Sequence, residues 1–345
     1  MNIKLVDVDS TIPNLALMKI SSYHKAQNHS VTLDRLGISY YPDDRGDRTI
    51  STDGFDKVYL STIFKGTIDC VSFDMWSDTG KCVFGGTGID NTNKLPNDIE
   101  ICDLDYSIYP DNDTAYGFIS RGCDRKCYFC VVPQKEGRTH QVETDITKII
   151  GQFKKVKFMD NNFLQLPNHV EILKWLVDHK TKFQFNQGLD VRLITKENSD
   201  ILRQANYWGD YIFAFDDYKY RRFIERQMEL LEWIPDWRAK FYCYVHPDME
   251  IFETVKRIEW LKERKILPYV MRDIACFGSV NSEFYTDLAA YGNQPAFLKK
   301  MTFEQFAEKR QLAGSINKQR QSLHTKIYNE AMKIKDKTVI MMGRK

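Results

Sequence analysis

Cys123, Cys127 and Cys130 fall within eight residues, in the run Gly117-Phe118-Ile119-Ser120-Arg121-Gly122-Cys123-Asp124-Arg125-Lys126-Cys127-Tyr128-Phe129-Cys130. Thiolate sulfur is the ligand that iron–sulfur clusters favour, and three thiolates on one tight loop can hold three irons of a cubane. The fourth iron then stays open for a small molecule. Arg121, Arg125 and Lys126 favour the deprotonated thiols, and Gly122 lets the loop turn closely. Zinc is the alternative; it would need a fourth ligand such as His140 or His246, and the C-x3-C-x2-C spacing is unusual for it. The other cysteines, at 70, 82, 102, 243 and 276, are scattered. A disulfide framework does not suit a chain of this size that begins without an apolar export segment.

Such a loop needs a scaffold. From Tyr116 onward, short apolar strands recur at Tyr116–Ser120, Val156–Asp160, Phe183–Gln187, Tyr211–Phe215, Phe241–His246 and Pro268–Arg272. Helical patterns lie between them at Glu143–Phe153, His169–His179, Lys196–Gln204, Tyr220–Trp233 and Met249–Lys262. The strand starts are 40, 27, 28, 30 and 27 residues apart, close to the period of a βα repeat. Six such units predict a partial (β/α)6 barrel of the TIM type over 116–300, with its chemistry at the carboxyl ends of the strands. Polar groups stand at those ends: Arg121-Gly122-Cys123, Asp160-Asn161-Asn162, Asn186-Gln187-Gly188, Asp216-Asp217, His246 and Arg272-Asp273.

Ahead of the barrel, residues 1–94 read as a Rossmann-like α/β domain. Ile3–Val8, Val58–Phe64 and Cys82–Phe84 are its strands, Leu15–Gln27 is a helix, and Gly85-Gly86-Thr87-Gly88 is a turn. The acidic stretch 95–115 reads as a linker, and 301–345 as a helical basic extension broken at Gly314. That extension holds ten Lys/Arg against two acids from Lys309 to Lys345, within a net charge of only +2 for the 345 residues. It is either a solvated helix or a surface for phosphates of a nucleic acid. With 43% hydrophobic and 13% aromatic residues the chain is not a disordered one. It lacks an apolar run of about 18 residues, so no membrane attachment and a cytoplasmic location are expected.

The cysteine spacing, the aromatic residue before the third cysteine and the position after the first barrel strand resemble the radical S-adenosylmethionine superfamily. The resemblance covers about Tyr116 to Arg272. It implies a [4Fe–4S] cluster whose open iron binds the amino and carboxylate groups of S-adenosylmethionine. An electron from a donor such as flavodoxin or ferredoxin then yields methionine and a 5′-deoxyadenosyl radical, which takes a hydrogen from substrate. By place, Asp160-Asn161-Asn162 stands where the family keeps a Gly-Gly-Glu-like stretch for the methionyl amine, and the motif departs from it. Asp216 and Asp217 stand where ribose contacts are found. Gln187 and Arg192 flank the third strand's mouth and would meet the methionyl carboxylate or the substrate. Tyr128 stands where an aromatic contacts adenine. Phe158-Met159-Asp160-Asn161-Asn162-Phe163, Phe185-Asn186-Gln187-Gly188-Leu189-Asp190 and Pro13-Asn14-Leu15-Ala16-Leu17-Met18-Lys19-Ile20-Ser21 together resemble a bacterial and mobile-element group of that superfamily, to about Arg310. That group shares the two-part layout with a cobalamin-binding-like amino-terminal domain.

Two relatives offer variants of the amino-terminal unit. Cobalamin-dependent members carry Asp-x-His-x-x-Gly, which this sequence lacks: Lys25-Ala26-Gln27 follows His24, and Ser30-Val31-Thr32 follows His29. Cobalamin is therefore not expected, and both histidines read as residues near a helix end. The tRNA methylthiotransferases hold a second cluster on three amino-terminal cysteines; Cys70, Cys82 and Cys102 supply the number at closer separations, and the plainer reading makes them structural thiols. The functions expected are hydrogen abstraction from an unidentified substrate such as a nucleotide or nucleic acid, RNA methylthiolation or methylation, or a non-catalytic iron–sulfur or zinc binding module.

Overall fold

A computed structural model describes residues 1–39 and 46–334. The chain divides into two compact units, Met1–Met159 and Asp160–Lys345. Both are of mixed α/β type with parallel sheets.

In the first unit come β1 (Asn2–Asp7), β2 (Ser30–Arg35), β3 (Arg48–Ile50), β4 (Lys57–Ser61), β5 (Val71–Phe73) and β6 (Cys82–Gly85). Four of them form one parallel sheet in the order β2-β1-β4-β6, and β3 pairs in parallel with β5. Because successive side chains of a strand point to opposite faces, β1 feeds two cores. Ile3 and Leu5 pack with Leu17, Ile20 and Tyr59, while Val6 packs with Ile38, Ile50, Val58 and Leu60. A strand covered on both faces is apolar at most positions, and in Ile3–Val8 only Lys4 and Asp7 break the run. The helix α1 (Leu15–Ala26) links β1 to β2, and the Asn14 side chain caps it by accepting from the Leu17 N–H.

The stretch expected as a linker carries α2 (Asn97–Glu100) and a short turn at Tyr106–Ile108. It packs Ile99 into the first core and buries Tyr109, whose hydroxyl donates to Asp7. Beyond it lie β7 (Ala115–Gly117), β8 (Ser120–Arg121), β9 (His140–Gln141) and β10 (Lys155–Phe158), with α3 (Val132–Glu136) and α4 (Ile146–Ile150). β7 and β10 pair in parallel, and β8 with β9 antiparallel.

The second unit runs α5 (His169–Asp178), β11 (Lys182–Phe185), α6 (Lys196–Gln204), β12 (Tyr211–Ala214), α7 (Arg221–Glu229), β13 (Ala239–Val245), α8 (Ile251–Glu263) and β14 (Leu267–Arg272). The strands β12, β13 and β14 form a parallel sheet in chain order, joined by α7 and α8. On β13, Ala239, Phe241, Cys243 and Val245 are buried and alternate with half-buried residues. A capping box at Thr195 and Asn198 starts α6 at the position the sequence pattern gives. All six strands expected from the βα spacing are present.

The helices α9 (Ser282–Gly292), α10 (Pro295–Leu298), α11 (Phe303–Leu312) and α12 (Lys318–Met332) complete the second unit. The part of the basic extension described here is docked on this unit. Phe303, Phe306, Ile327 and Ala331 are buried. Glu259 of α8 accepts from the Tyr291 hydroxyl and from the Phe303 N–H, each at 2.9 Å. Asp287 of α9, fully buried, lies 3.1 Å from an Arg310 nitrogen, 2.7 Å from Arg320 Nε and 2.7 Å from His324 Nε2. Gly314 turns the chain between α11 and α12 at φ +71. Residues 335–345 of the extension lie outside the described residues.

Candidate metal centre and polar strand edges

The β8–β9 pair frames the cysteine loop, with Ser120 opposite Gln141 and Arg121 opposite His140. At its base Gly122 has φ +80, and a Cβ there would stand 2.2 Å from the Arg138 carbonyl oxygen. Only glycine fits that turn. The Cys123 N–H donates to the Gly137 carbonyl at 3.0 Å. Glu136 accepts from the Gly122 N–H and from the Arg121 guanidinium, both at 3.1 Å. Asp124 accepts from the Thr139 N–H at 3.1 Å and from Arg138 Nε at 3.3 Å. Two carboxylates therefore pin a loop on which the Cys130 N–H donates to the Cys127 carbonyl at 3.0 Å.

Cys123, Cys127 and Cys130 are all half-buried, whereas Cys243 and Cys276 are buried in the second unit. Burial pushes the Cys243 thiol up to about 12 and that of Cys276 to about 11, which makes both poor ligands at neutral pH. Tyr128, at 70% exposure, presents its ring outward with Phe129 edge-on at 5.3 Å. Arg121 does not face the thiols freely: its guanidinium pairs with Glu136 and stacks 4.0 Å over Phe118. Among the described residues, no group of three or more His, Cys, Asp or Glu is placed to hold a metal ion. A cubane distributes three cysteine sulfurs over three irons, so it asks for a wider arrangement than one zinc ion. Cys123, Cys127 and Cys130 share one pinned loop, and each is half-buried. The zinc alternative would draw on His140, whose Nδ1 lies 2.9 Å from the Arg138 carbonyl.

The other cysteines of the first unit have separate surroundings. Cys70 and Cys82 pack against the core beneath β1, and burial raises the Cys82 thiol. Cys102 donates to the Asp98 carbonyl at the end of α2. His24, in the last turn of α1, is buried, 2.9 Å from the Tyr59 hydroxyl and 3.0 Å from His29 Nδ1. At the carboxyl edge of the four-stranded sheet, Asp9 accepts from the Ile63 and Phe64 N–H groups and the Thr67 hydroxyl. Asp7 accepts from Ser10 N–H and the Tyr109 hydroxyl, and burial raises its carboxyl above the usual range.

In the second unit, Asp160 is fully buried and Asn162 nearly so, while Asn161 is half-buried. The Asn162 amide donates to Asp190 at 3.3 Å. Asp190 also receives two bonds from the Arg192 guanidinium, at 2.7 and 3.1 Å, and the Arg192 N–H at 3.1 Å. Arg192 is thus spent on Asp190 and rests 5.4 Å over the Tyr220 ring. The turn at Val191–Leu193 brings the two side chains into this bidentate pair. Gln187 is exposed.

Asp216 accepts from the Tyr244 N–H at 3.0 Å. Burial raises its carboxyl, against the opposing pull of that bond and of the Arg257 and Arg192 charges. Asp217 instead caps the turn that follows it and pairs with Lys219, so its charge is neutralised locally. The structure therefore joins Asn162, Asp190 and Arg192 in one network and sets Asp216 against Tyr244.

Asp190, Tyr244 and Arg257 were not singled out as site residues by sequence, and Asp273 only as one of the polar groups at a strand end. Arg257 donates to the Phe215 and Tyr244 carbonyls, closing the strand ends from behind. Tyr244 donates to Asp273 at 2.7 Å, and His246 Nδ1 accepts from the Asp248 N–H. For Asp190, its two-residue separation from Arg192 was a usable signal; Arg257 lies mid-helix and gave none.

Of the basic residues in α11 and α12, Arg310 and Arg320 are committed to Asp287 and Lys309 lies 5.4 Å over Phe297; Lys333, just past α12, pairs with Glu330. No helix among the described residues is long and apolar enough to cross a membrane. No protein-family model and no curated protein matches the chain.

Proposed function

We propose that this chain is a radical S-adenosylmethionine enzyme, with a [4Fe–4S] cluster held by Cys123, Cys127 and Cys130. The observation that carries the reading is the C-x3-C-x2-C spacing on a loop pinned by Glu136 and Asp124, with all three thiols half-exposed. When bound, the cluster would supply the electron that splits S-adenosylmethionine into methionine and a 5′-deoxyadenosyl radical. The chain's own residues bind and orient. Tyr128, 70% exposed, would cover an adenine face. Asp160, Asn161 and Asn162 follow β10 and are the groups for an ammonium; Asp216 offers a partly desolvated carboxyl to a hydroxyl. Arg192, locked by Asp190, is a positioning residue for Asn162 rather than a direct ligand.

On this reading the six recurring strands belong to a partial barrel, and the four-stranded parallel sheet to a Rossmann-like domain. A one-electron donor of the flavodoxin or ferredoxin kind completes the system. The test is anaerobic reconstitution followed by reduction with dithionite in the presence of S-adenosylmethionine. We expect about four irons per chain and formation of 5′-deoxyadenosine. Cys127→Ala should lose both, and robust cleavage by that variant would defeat the assignment.

A further inference from the structure

Directly after the cysteine loop, Lys135 of α3 extends to the Gly85-Gly86-Thr87-Gly88 turn, where its ammonium donates to the Thr87 hydroxyl at 2.8 Å. Lys135 and Thr87 are both half-buried. Among the described residues no carboxylate stands within ion-pair distance of Lys135. The adjacent Glu136 gives its oxygens to Arg121 and the Gly122 N–H. Burial pulls the Lys135 ammonium below the ordinary lysine range, with Glu136 partly offsetting this and Arg121 adding to it. Burial makes a cation costlier unless an anion accompanies it, and among the described residues the group bonded to this ammonium is a neutral hydroxyl.

The glycine turn that carries Thr87 is rigidly seated. The Thr62 N–H donates to the Gly85 carbonyl, and the Gly88 N–H donates to the Thr62 carbonyl, each at 3.0 Å. A Cβ on Gly86 would stand 2.1 Å from the Thr62 carbonyl oxygen, and one on Gly88 would stand 2.1 Å from Thr62 Oγ1. The turn therefore lies flat on the segment after β4, and Thr87 sits at the carboxyl edge of a parallel sheet. That is the edge at which open α/β sheets take ligands.

We infer that Lys135 and Thr87 form a binding point for a phosphate group, carried by the substrate of the neighbouring cysteine loop. A phosphate oxygen accepts from an ammonium and a hydroxyl together, and its charge offsets the desolvation of an unmatched lysine. The inference rests on the proposed enzyme reading for the word substrate, but not for the binding itself. It moves recognition of a nucleotide-like phosphate from the basic carboxyl-terminal helices, where Arg310 and Arg320 are already paired, to the first unit.

The test is calorimetric titration of the full-length, anaerobically reconstituted protein with inorganic pyrophosphate, ADP and a short 5′-phosphorylated oligonucleotide. Binding of any of the three should weaken at least about tenfold in Lys135→Met, since a charge-assisted bond is lost, and be largely kept in Lys135→Arg. Thr87→Val should weaken it by about threefold. Binding of ADP but not the oligonucleotide identifies a free nucleotide as the source, and the reverse identifies a nucleic-acid end. Absence of binding by all three, or equal affinity in Lys135→Met, would overturn the inference. Should Lys135→Met not fold by circular dichroism, unchanged affinity in Thr87→Val overturns it instead. Cleavage of S-adenosylmethionine, measured on the same wild-type sample, separates the two claims: cleavage without phosphate binding removes this inference alone.

Discussion

Replacing Asp287 with Asn should release the last two described helices from the second unit. The carboxylate is fully buried and meets Arg320 and His324 at 2.7 Å and Arg310 at 3.1 Å. An amide of the same shape keeps the packing but removes the charge that these three donors share. Breaking a buried ion pair by removing one partner costs about 3–5 kcal/mol. The lower end applies, because Arg320 retains Glu283 at 2.9 Å and the Arg310 side chain is 30% exposed. A loss of about 3 kcal/mol corresponds to roughly a hundredfold rise in the opening equilibrium of α11 and α12. Amide hydrogen exchange by mass spectrometry on peptides spanning 303–332 reads this directly. Leu312→Ala, at a 78% exposed side chain, is the control and should change exchange little. Exchange in Asp287→Asn within threefold of wild type, a threshold of about 0.7 kcal/mol, would refute the ion-pair account.

Burial alone would raise Asp287, yet bonds from His324 and Arg320 hold it below the usual carboxylate range. Its stabilisation is therefore complete above about pH 3.9 and is lost as pH falls through the lower folded value, so α11 and α12 should stay protected at about pH 5 and loosen below about pH 4. Gly122→Ala places a methyl 2.2 Å from the Arg138 carbonyl at a left-handed φ; iron content after reconstitution should fall below half of wild type, and a full complement would contradict the tight turn. Asp190→Asn should free Arg192 and Asn162 together, weakening S-adenosylmethionine affinity by about tenfold in equilibrium dialysis; unchanged affinity would show that this network does not position the ligand.

Much of the fold was legible because the strands of both units are apolar runs bounded by polar turns. Lys196–Gln204 appears with the ends that its capping residues dictate, and β13 and β14 extend the expected strands by only one or two residues. β2 was missed: only Val31 and Leu33 of it are even half-buried, so its pattern is that of a polar sheet edge. β3 and β5, three residues each, carry too little periodicity to register. The cysteine run was readable from spacing alone as one loop, and it lies between the paired strands β8 and β9. The fate of Arg192 and of the basic helices was not, since both depend on which carboxylate lies nearby after folding. For Arg310 and Arg320 that partner is Asp287, on another helix; what looked like a solvated basic tail is partly an internal counter-charge.

Electron paramagnetic resonance of the dithionite-reduced, reconstituted protein, recorded before and after adding S-adenosylmethionine, tests the assignment of the cysteine loop most directly. A reduced cubane signal is expected that S-adenosylmethionine alters, through the iron that no protein thiol occupies, and that disappears in Cys127→Ala. A stoichiometric zinc content with no such signal, or a cubane spectrum indifferent to S-adenosylmethionine, would contradict it.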